Sequence, residues 1–165
     1  MSALSSIHVL LVDDNPNMRA IVAAMLKSVG VGRLTEAEDG ADGLELLRRE
    51  AVDIAIVDFR MKPMDGVAFT SAVRNQADSP NPYLPVIMMT GHSEKSRVTE
   101  ARDAGVTEFV AKPVKAQTLL TRLEAVILRP RPFVRSPSYF GPDRRRTRTE
   151  GYAGPFRRAD DSVAD

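Results

Sequence analysis

Three carboxylates, one hydroxyl and one ammonium stand out by position. Asp13 and Asp14 follow the apolar run Ile7 to Val12, and Asp58 follows Ile54 to Val57. Thr90 follows Val86 to Met89, and Lys112 ends a weaker run from Thr107 to Ala111. Each polar residue sits where a β-branched or aliphatic segment stops, which is how side chains at the carboxyl ends of adjacent parallel strands read in a sequence. Three acids brought into one crevice repel one another, and a cation would relieve that repulsion. An oxygen-only donor set without His or Cys suits a hard ion, and Mg²⁺ is the expected one. A carboxylate beside such an ion can attack a phosphoryl group, with Lys112 and Thr90 serving the oxygens that gather charge.

The elements that would position these residues alternate. A fifth apolar run, Arg33 to Ala37, joins the four above, and segments with helical spacing lie between them. Met18, Ile21, Val22, Met25, Leu26 and Val29 share one face of a helix capped by Asn15, entered by Pro16 and closed by Gly30. A second helix follows Gly40 with Leu44 and Leu47 inward. Asp65 caps a third that buries Val67, Phe69, Ala72 and Val73. Ser93 is the expected cap of a fourth, whose inward face offers only Val98, Ala101 and Ala104. It should therefore be the easiest to move. A fifth carries Ala116, Leu119, Leu120, Leu123 and Ile127 up to Arg129-Pro130. Five strand–helix alternations predict an α/β fold with a parallel sheet covered on both faces, the first and third strands central.

The motifs VDD, VDFRMKPMDG, MMTG and VAKP together resemble the receiver domain of two-component response regulators, the CheY-like family, over about residues 5 to 128. The resemblance implies a flavodoxin-like doubly wound sheet of order 2-1-3-4-5 with five helices. It also implies a phosphoryl group accepted on Asp58 from a sensor histidine kinase or phosphotransfer protein. Mg²⁺ would be held by Asp14, Asp13, Asp58 and the Arg60 backbone carbonyl. Thr90 and Lys112 would meet the phosphoryl oxygens, Phe109 would be the aromatic switch, and Pro113 would follow a cis peptide. The output would be phosphorylation-dependent binding of another, unidentified protein.

The sequence departs from the family in three places. Lys62 stands where the family has Pro, which is displaced to Pro63; the connection ADSPNPYLP is long; and the switch is Phe rather than Tyr. Lys62 adds a cation near the site, and His92 and Arg60, each two residues past a site residue, could shade the phosphoryl group. His8, inside an apolar strand, reads as a packed core residue. Alone, Asp13-Asp14 before Asn15-Pro16 would be an ordinary helix entry; with Asp58 and Lys112 the set reads as a metal site.

Composition bounds the rest. The chain has 165 residues, enough for one core and an appendage, with 43% hydrophobic and 27% charged residues. It has no Cys, which excludes disulfides and thiolate chemistry. No apolar run is long enough to span a bilayer and the amino terminus lacks a signal-peptide pattern, so a cytoplasmic protein without membrane insertion is expected. From Arg129 onward nine Arg oppose five acidic residues, a surplus of four, which leaves about minus three on residues 1–128 of a chain whose net charge is +1.

Two regions are expected: a receiver over residues 1–129, acting without an attached output domain as a monomer or weak dimer, and a Pro- and Arg-rich tail over 130–165. The tail holds five of the eleven Pro residues and no period, and is expected to be irregular and largely unstructured. It is nonetheless aromatic, with Phe133, Tyr139, Phe140, Tyr152 and Phe156, and could fold on an acidic protein partner. Nucleic-acid binding through Arg144 to Arg148 has no recognisable module behind it. A haloacid-dehalogenase-type phosphatase would also use Asp, Thr, Lys and Mg²⁺. That family, however, places a D-x-D motif on the first strand, where this chain has adjacent acids.

Overall fold

A computed structural model describes residues 3–144 and the backbone of Ser162 and Val163. Arg145 to Arg148, Tyr152 and Phe156 lie outside the described residues. Five parallel strands, β1 (His8–Val12), β2 (Arg33–Ala37), β3 (Ile54–Asp58), β4 (Val86–Thr90) and β5 (Glu108–Ala111), form one sheet in the order β2-β1-β3-β4-β5. Five helices connect or follow them: α1 (Pro16–Ser28), α2 (Gly40–Arg49), α3 (Gly66–Asn75), α4 (Val98–Ala104) and α5 (Ala116–Leu128). This is the flavodoxin-like doubly wound arrangement that the alternation and the motifs imply. Among the described residues no helix is long and apolar enough to cross a membrane.

Every residue of β1, β3 and β4 is buried because helices cover both faces. Alternate side chains split into two cores, as the period of two in a strand requires. Val9, Leu11, Ile56 and Ile87 meet Val22 and Leu26 of α1 and Leu119 and Leu123 of α5. Leu10, Val12, Val57 and Met88 meet Leu47, Phe69 and Val73 on the other face. His8 is a packed core histidine: its Nδ1 lies 2.7 Å from the Ala51 carbonyl and its Nε2 2.7 Å from Thr35 Oγ1.

Three helix entries carry a side-chain cap, the expected Asn15 and Asp65 and, in addition, Asp39. Asn15 Oδ1 accepts from the Asn17 and Met18 amides, Asp39 Oδ1 from the Asp42 amide, and Asp65 Oδ1 from the Ala68 amide. The fourth entry differs. A 3-10 turn, His92–Arg97, precedes α4, and the Glu94 carboxylate accepts the Gly91 amide at 2.9 Å, so the buried acid does the capping rather than Ser93. The Ser93 hydroxyl instead donates to Glu94. In α4, seven residues long, only Ala101 is fully buried.

The expectation of an irregular segment beyond Arg129 is wrong for its first part. Strands β6 (Phe133–Ser136) and β7 (Tyr139–Pro142) form an antiparallel hairpin with Ser136 opposite Tyr139, and β8 (Ser162–Val163) pairs with the other edge of β6. The two-residue turn Pro137-Ser138 lacks the Asn-Gly type of signal by which tight hairpins are recognised, and the Pro count alone suggests disorder.

Burial supplies what local propensity does not. Phe133, Phe140 and Tyr83 form a triangle with ring centroids 5.1 to 5.5 Å apart. Tyr83 belongs to the long Pro-rich connection before β4, so two segments that look like separate ornaments in the sequence pack on each other. Beneath them lies the buried Arg74 of α3. It donates to the Gly105 carbonyl from Nε at 3.1 Å and Nη2 at 2.9 Å, and to the Pro82 carbonyl at 3.0 Å. Its guanidinium lies 5.0 Å from the Phe133 ring centroid. Burial lowers its pKa to about 10.

Arg131–Glu108 and Arg144–Asp103 ion pairs pin the two ends of the hairpin to β5 and α4. Gly105, at φ 107°, holds the left-handed turn under Arg74, where an added Cβ would lie 2.9 Å from the Arg74 side chain. Arg74→Met should destabilise the chain by about 2–4 kcal/mol, since two buried carbonyls lose their donors. Urea unfolding would measure this, and a change under 0.5 kcal/mol would show that Arg74 does not tie the hairpin down.

Candidate functional site

The parallel register brings the ends of β1, β3, β4 and β5 to one edge of the sheet. Val12 pairs with Val57, Asp58 with Met89, and Thr90 with Ala111, so the next residues out are Asp13, Asp58, Thr90 and Lys112. Carboxylate oxygens of Asp13, Asp14 and Asp58 lie within 4.8 Å of one another, Asp13 and Asp58 buried and Asp14 exposed. The Lys112 ammonium forms an ion pair with Asp58 Oδ1, and the Lys112 amide donates to the Thr90 carbonyl at 2.8 Å.

Electrostatics at this edge are unsettled without a further cation. Burial pushes the Asp58 carboxyl up to about 6; Lys112 pulls it down, while Asp13 and Asp14 add to the rise. Burial also raises Asp13, against the hydrogen bond its Oδ1 accepts from the Asn15 amide at 2.9 Å. Asp13 Oδ2 is buried with no hydrogen-bond partner among the described residues, and Asp58 Oδ1 has only the Lys112 ammonium against it. A buried acceptor left open costs about 1–3 kcal/mol. Carboxylate oxygens gathered within 4.8 Å of one another, one of them buried without a partner, with no nitrogen or sulfur donor, are what a hard divalent cation requires. The residues present therefore fit Mg²⁺.

The loop after β3 resolves the Lys62-Pro63 departure. The Lys62 amide donates to Asp14 Oδ2 at 3.3 Å; a Pro at this position would have no N–H to give. Both the Lys62–Pro63 and Lys112–Pro113 peptides are cis. The Lys62 side chain is exposed, as is His92. The Arg60 side chain pairs with Glu94 at 3.3 Å, joining the loop after β3 to the turn after β4 across the mouth of the crevice. Arg97 lies over the Phe59 ring, 4.8 Å from its centroid. Glu94 and Arg97 carry no sequence signal: each looks like a surface charge until the fold puts it beside the loop. Phe109 is half-buried against the second core, and its carbonyl accepts from Arg122 Nε at 2.9 Å.

Gly66 explains the fixed distance between Asp58 and the Asp65-Gly66 pair. An added Cβ there would lie 2.5 Å from the Asp58 carbonyl oxygen and 2.9 Å from Met88 Cε. Gly66→Ala should cost about 1–3 kcal/mol in stability and weaken Mg²⁺ binding by displacing Asp58, both readable by urea unfolding with and without Mg²⁺. Unchanged stability would show that the contact relaxes freely.

A doubly wound fold with acids, a threonine and a lysine at the carboxyl edge defines a receiver module. The profile of the response regulator receiver domain matches residues 9–124, and the chain belongs to that family. Chemotaxis protein CheY-3 from Vibrio cholerae is 33% identical over 124 residues, covering 75% of this chain and 94% of the relative. Chemotaxis protein CheY from Pseudomonas aeruginosa is 36% identical over 121 residues, covering 73% and 96%.

Among solved structures, Vibrio cholerae chemotaxis protein CheY4 superposes with a TM-score of 0.66 at 32% identity, covering 73% of this chain and 98% of that one. The receiver domain of the Pseudomonas aeruginosa sensor histidine kinase PA1611 superposes with a TM-score of 0.64 at 30% identity, covering 72% and 94%. That structure has a magnesium ion coordinated in its active-site cleft.

Proposed function

We propose that Asp58 accepts a phosphoryl group from the phosphohistidine of a sensor histidine kinase or phosphotransfer protein, and that the phosphorylated chain signals by binding another protein. The observation that carries this is the buried Asp58 carboxylate, paired with Lys112 beside a second buried acid whose outer oxygen has no partner. Asp13, Asp14, Asp58 and the Arg60 carbonyl would hold Mg²⁺, which when bound neutralises charge on the phosphoryl oxygens.

An Asp58 oxygen attacks phosphorus in line with the leaving imidazole nitrogen. The P–N bond breaks, its electron pair goes to that nitrogen, and the donor's imidazole, already protonated on its other ring nitrogen, leaves neutral. Lys112, freed from its ion pair, turns to a phosphoryl oxygen, and the Thr90 hydroxyl donates to another. Phosphorylation adds roughly minus 1.5 to minus 2 charge. Thr90 moves toward that charge and Phe109 turns inward behind it, so α4 and β5 form the element that switches. Lys62 and His92, both exposed, would modulate access by a donor. The chain is a switch rather than an enzyme with turnover on outside substrates, and the phosphatase alternative is not favoured.

Beryllofluoride with Mg²⁺, as a phosphoryl mimic, should shift the NMR signals of Thr90, Lys112 and Phe109 together. Shifts confined to Asp13 and Asp14 would reject the switch.

A further inference from the structure

Opposite the phosphoacceptor edge of β5, the hairpin and the receiver border a half-open cavity of about 270 Å³. This is room for several waters or a small ligand. Four arginines line it: Arg102 of α4, Arg122 of α5, and Arg131 and Arg144 flanking the hairpin. Glu108 and Asp143 are the acids in the lining and Asp103 beside it pairs with Arg144, so one positive charge is left over.

The arginines are not equivalent. Arg131 donates to Glu108 and to the Asp143 carbonyl, and Arg144 is shared with Asp103. Arg122 is fixed by one bond, from Nε to the Phe109 carbonyl, and its two terminal nitrogens have no partner among the described residues. Arg102 has no ion pair or side-chain hydrogen bond among them at all. Two guanidinium forks with open donors in one half-open, net-positive cavity form an arrangement suited to bidentate capture of an oxyanion.

We infer that this cavity binds a compact oxyanion of two or more negative charges, phosphate-bearing or polycarboxylate, between the hairpin and the switch strand. The walls come from both parts of the chain, so a bound anion would clamp the hairpin to α4 and α5. Through Arg122, whose Nε donates to the Phe109 carbonyl, it would also be coupled to the backbone of Phe109. The site is separate from the acidic crevice and does not depend on phosphotransfer at Asp58.

The test is titration of the full chain with pyrophosphate and, separately, with citrate. EDTA is present so that the acidic crevice holds no metal, and ionic strength is kept constant. Arg122 Nε–Hε and the Phe109 carbonyl carbon are followed by NMR. The expected result is a saturable one-to-one shift of both signals with at least one probe, accompanied by a higher melting temperature.

Arg102→Gln and Arg122→Gln should each weaken binding about tenfold or more, while Arg48→Gln on the exposed face of α2 leaves it unchanged. Acetate at equal ionic strength should not saturate. Equal responses to acetate and pyrophosphate would overturn the inference, as would unchanged binding in Arg102→Gln and Arg122→Gln or shifts confined to Arg145, Arg146 and Arg148. Melting curves of the variants without ligand establish that they are folded.

Discussion

Asp58→Asn should lose phosphoryl acceptance entirely yet be more stable than the parent when no metal is present. The amide keeps the shape of the carboxylate but offers no anionic nucleophile, so Mg²⁺-dependent labelling from a phosphohistidine donor should fall to background. Labelling at the parent level would place the acceptor elsewhere.

The stability gain follows from the same burial. Asp58 titrates near 6 when folded and near about 3.9 when unfolded. Between those values the folded chain keeps a proton that the unfolded chain has released, so stability declines as pH rises through the window, and the full deficit is present above it. About two pH units correspond to on the order of 3 kcal/mol. Lys112 loses its partner in the variant and gives part of this back. Urea unfolding should show Asp58→Asn ahead by about 1–3 kcal/mol at pH 8, with the advantage gone by about pH 4. An advantage that grows as pH falls would have the wrong sign for a raised carboxyl.

Magnesium affinity should fall steeply on acidification. Below about pH 6 the ion must displace a proton from Asp58, and each further pH unit should weaken binding by roughly tenfold. Asp13, also raised by burial, acts in the same direction. At neutral pH and a hundredfold excess over Kd, Mg²⁺ should add about 2.7 kcal/mol to unfolding stability. Calorimetric titration at pH 5 and pH 7.5 separates the cases: equal affinities would mean that the ion does not bind on these carboxylates.

Much of this was legible in the sequence because strand ends carry their own signal. An apolar run that stops on a polar residue locates that residue at a sheet edge, and four such stops place Asp13, Asp14, Asp58, Thr90 and Lys112 together. Asn15 and Asp65 cap their helices by side-chain chemistry that acts within four residues, which a sequence displays directly.

What could not be read depended on distant partners. Glu94 replaces Ser93 as the cap because the fold buries its carboxylate beside Gly91 and Arg60. The hairpin is held by Tyr83 and Arg74, some fifty to sixty residues away, so its own composition points to disorder. Lys62 reads as a displaced proline position in the sequence, and only the fold brings its amide to Asp14.

The stacking of Tyr83 on Phe133 and Phe140 bears on how portable the tail is. The long connection and the hairpin are two halves of one accessory module split across the chain. Grafted alone onto a plain receiver, residues 130–144 would find no aromatic platform and no buried guanidinium to close on. A functional transplant would have to carry the 79–85 loop and Arg74 along with it.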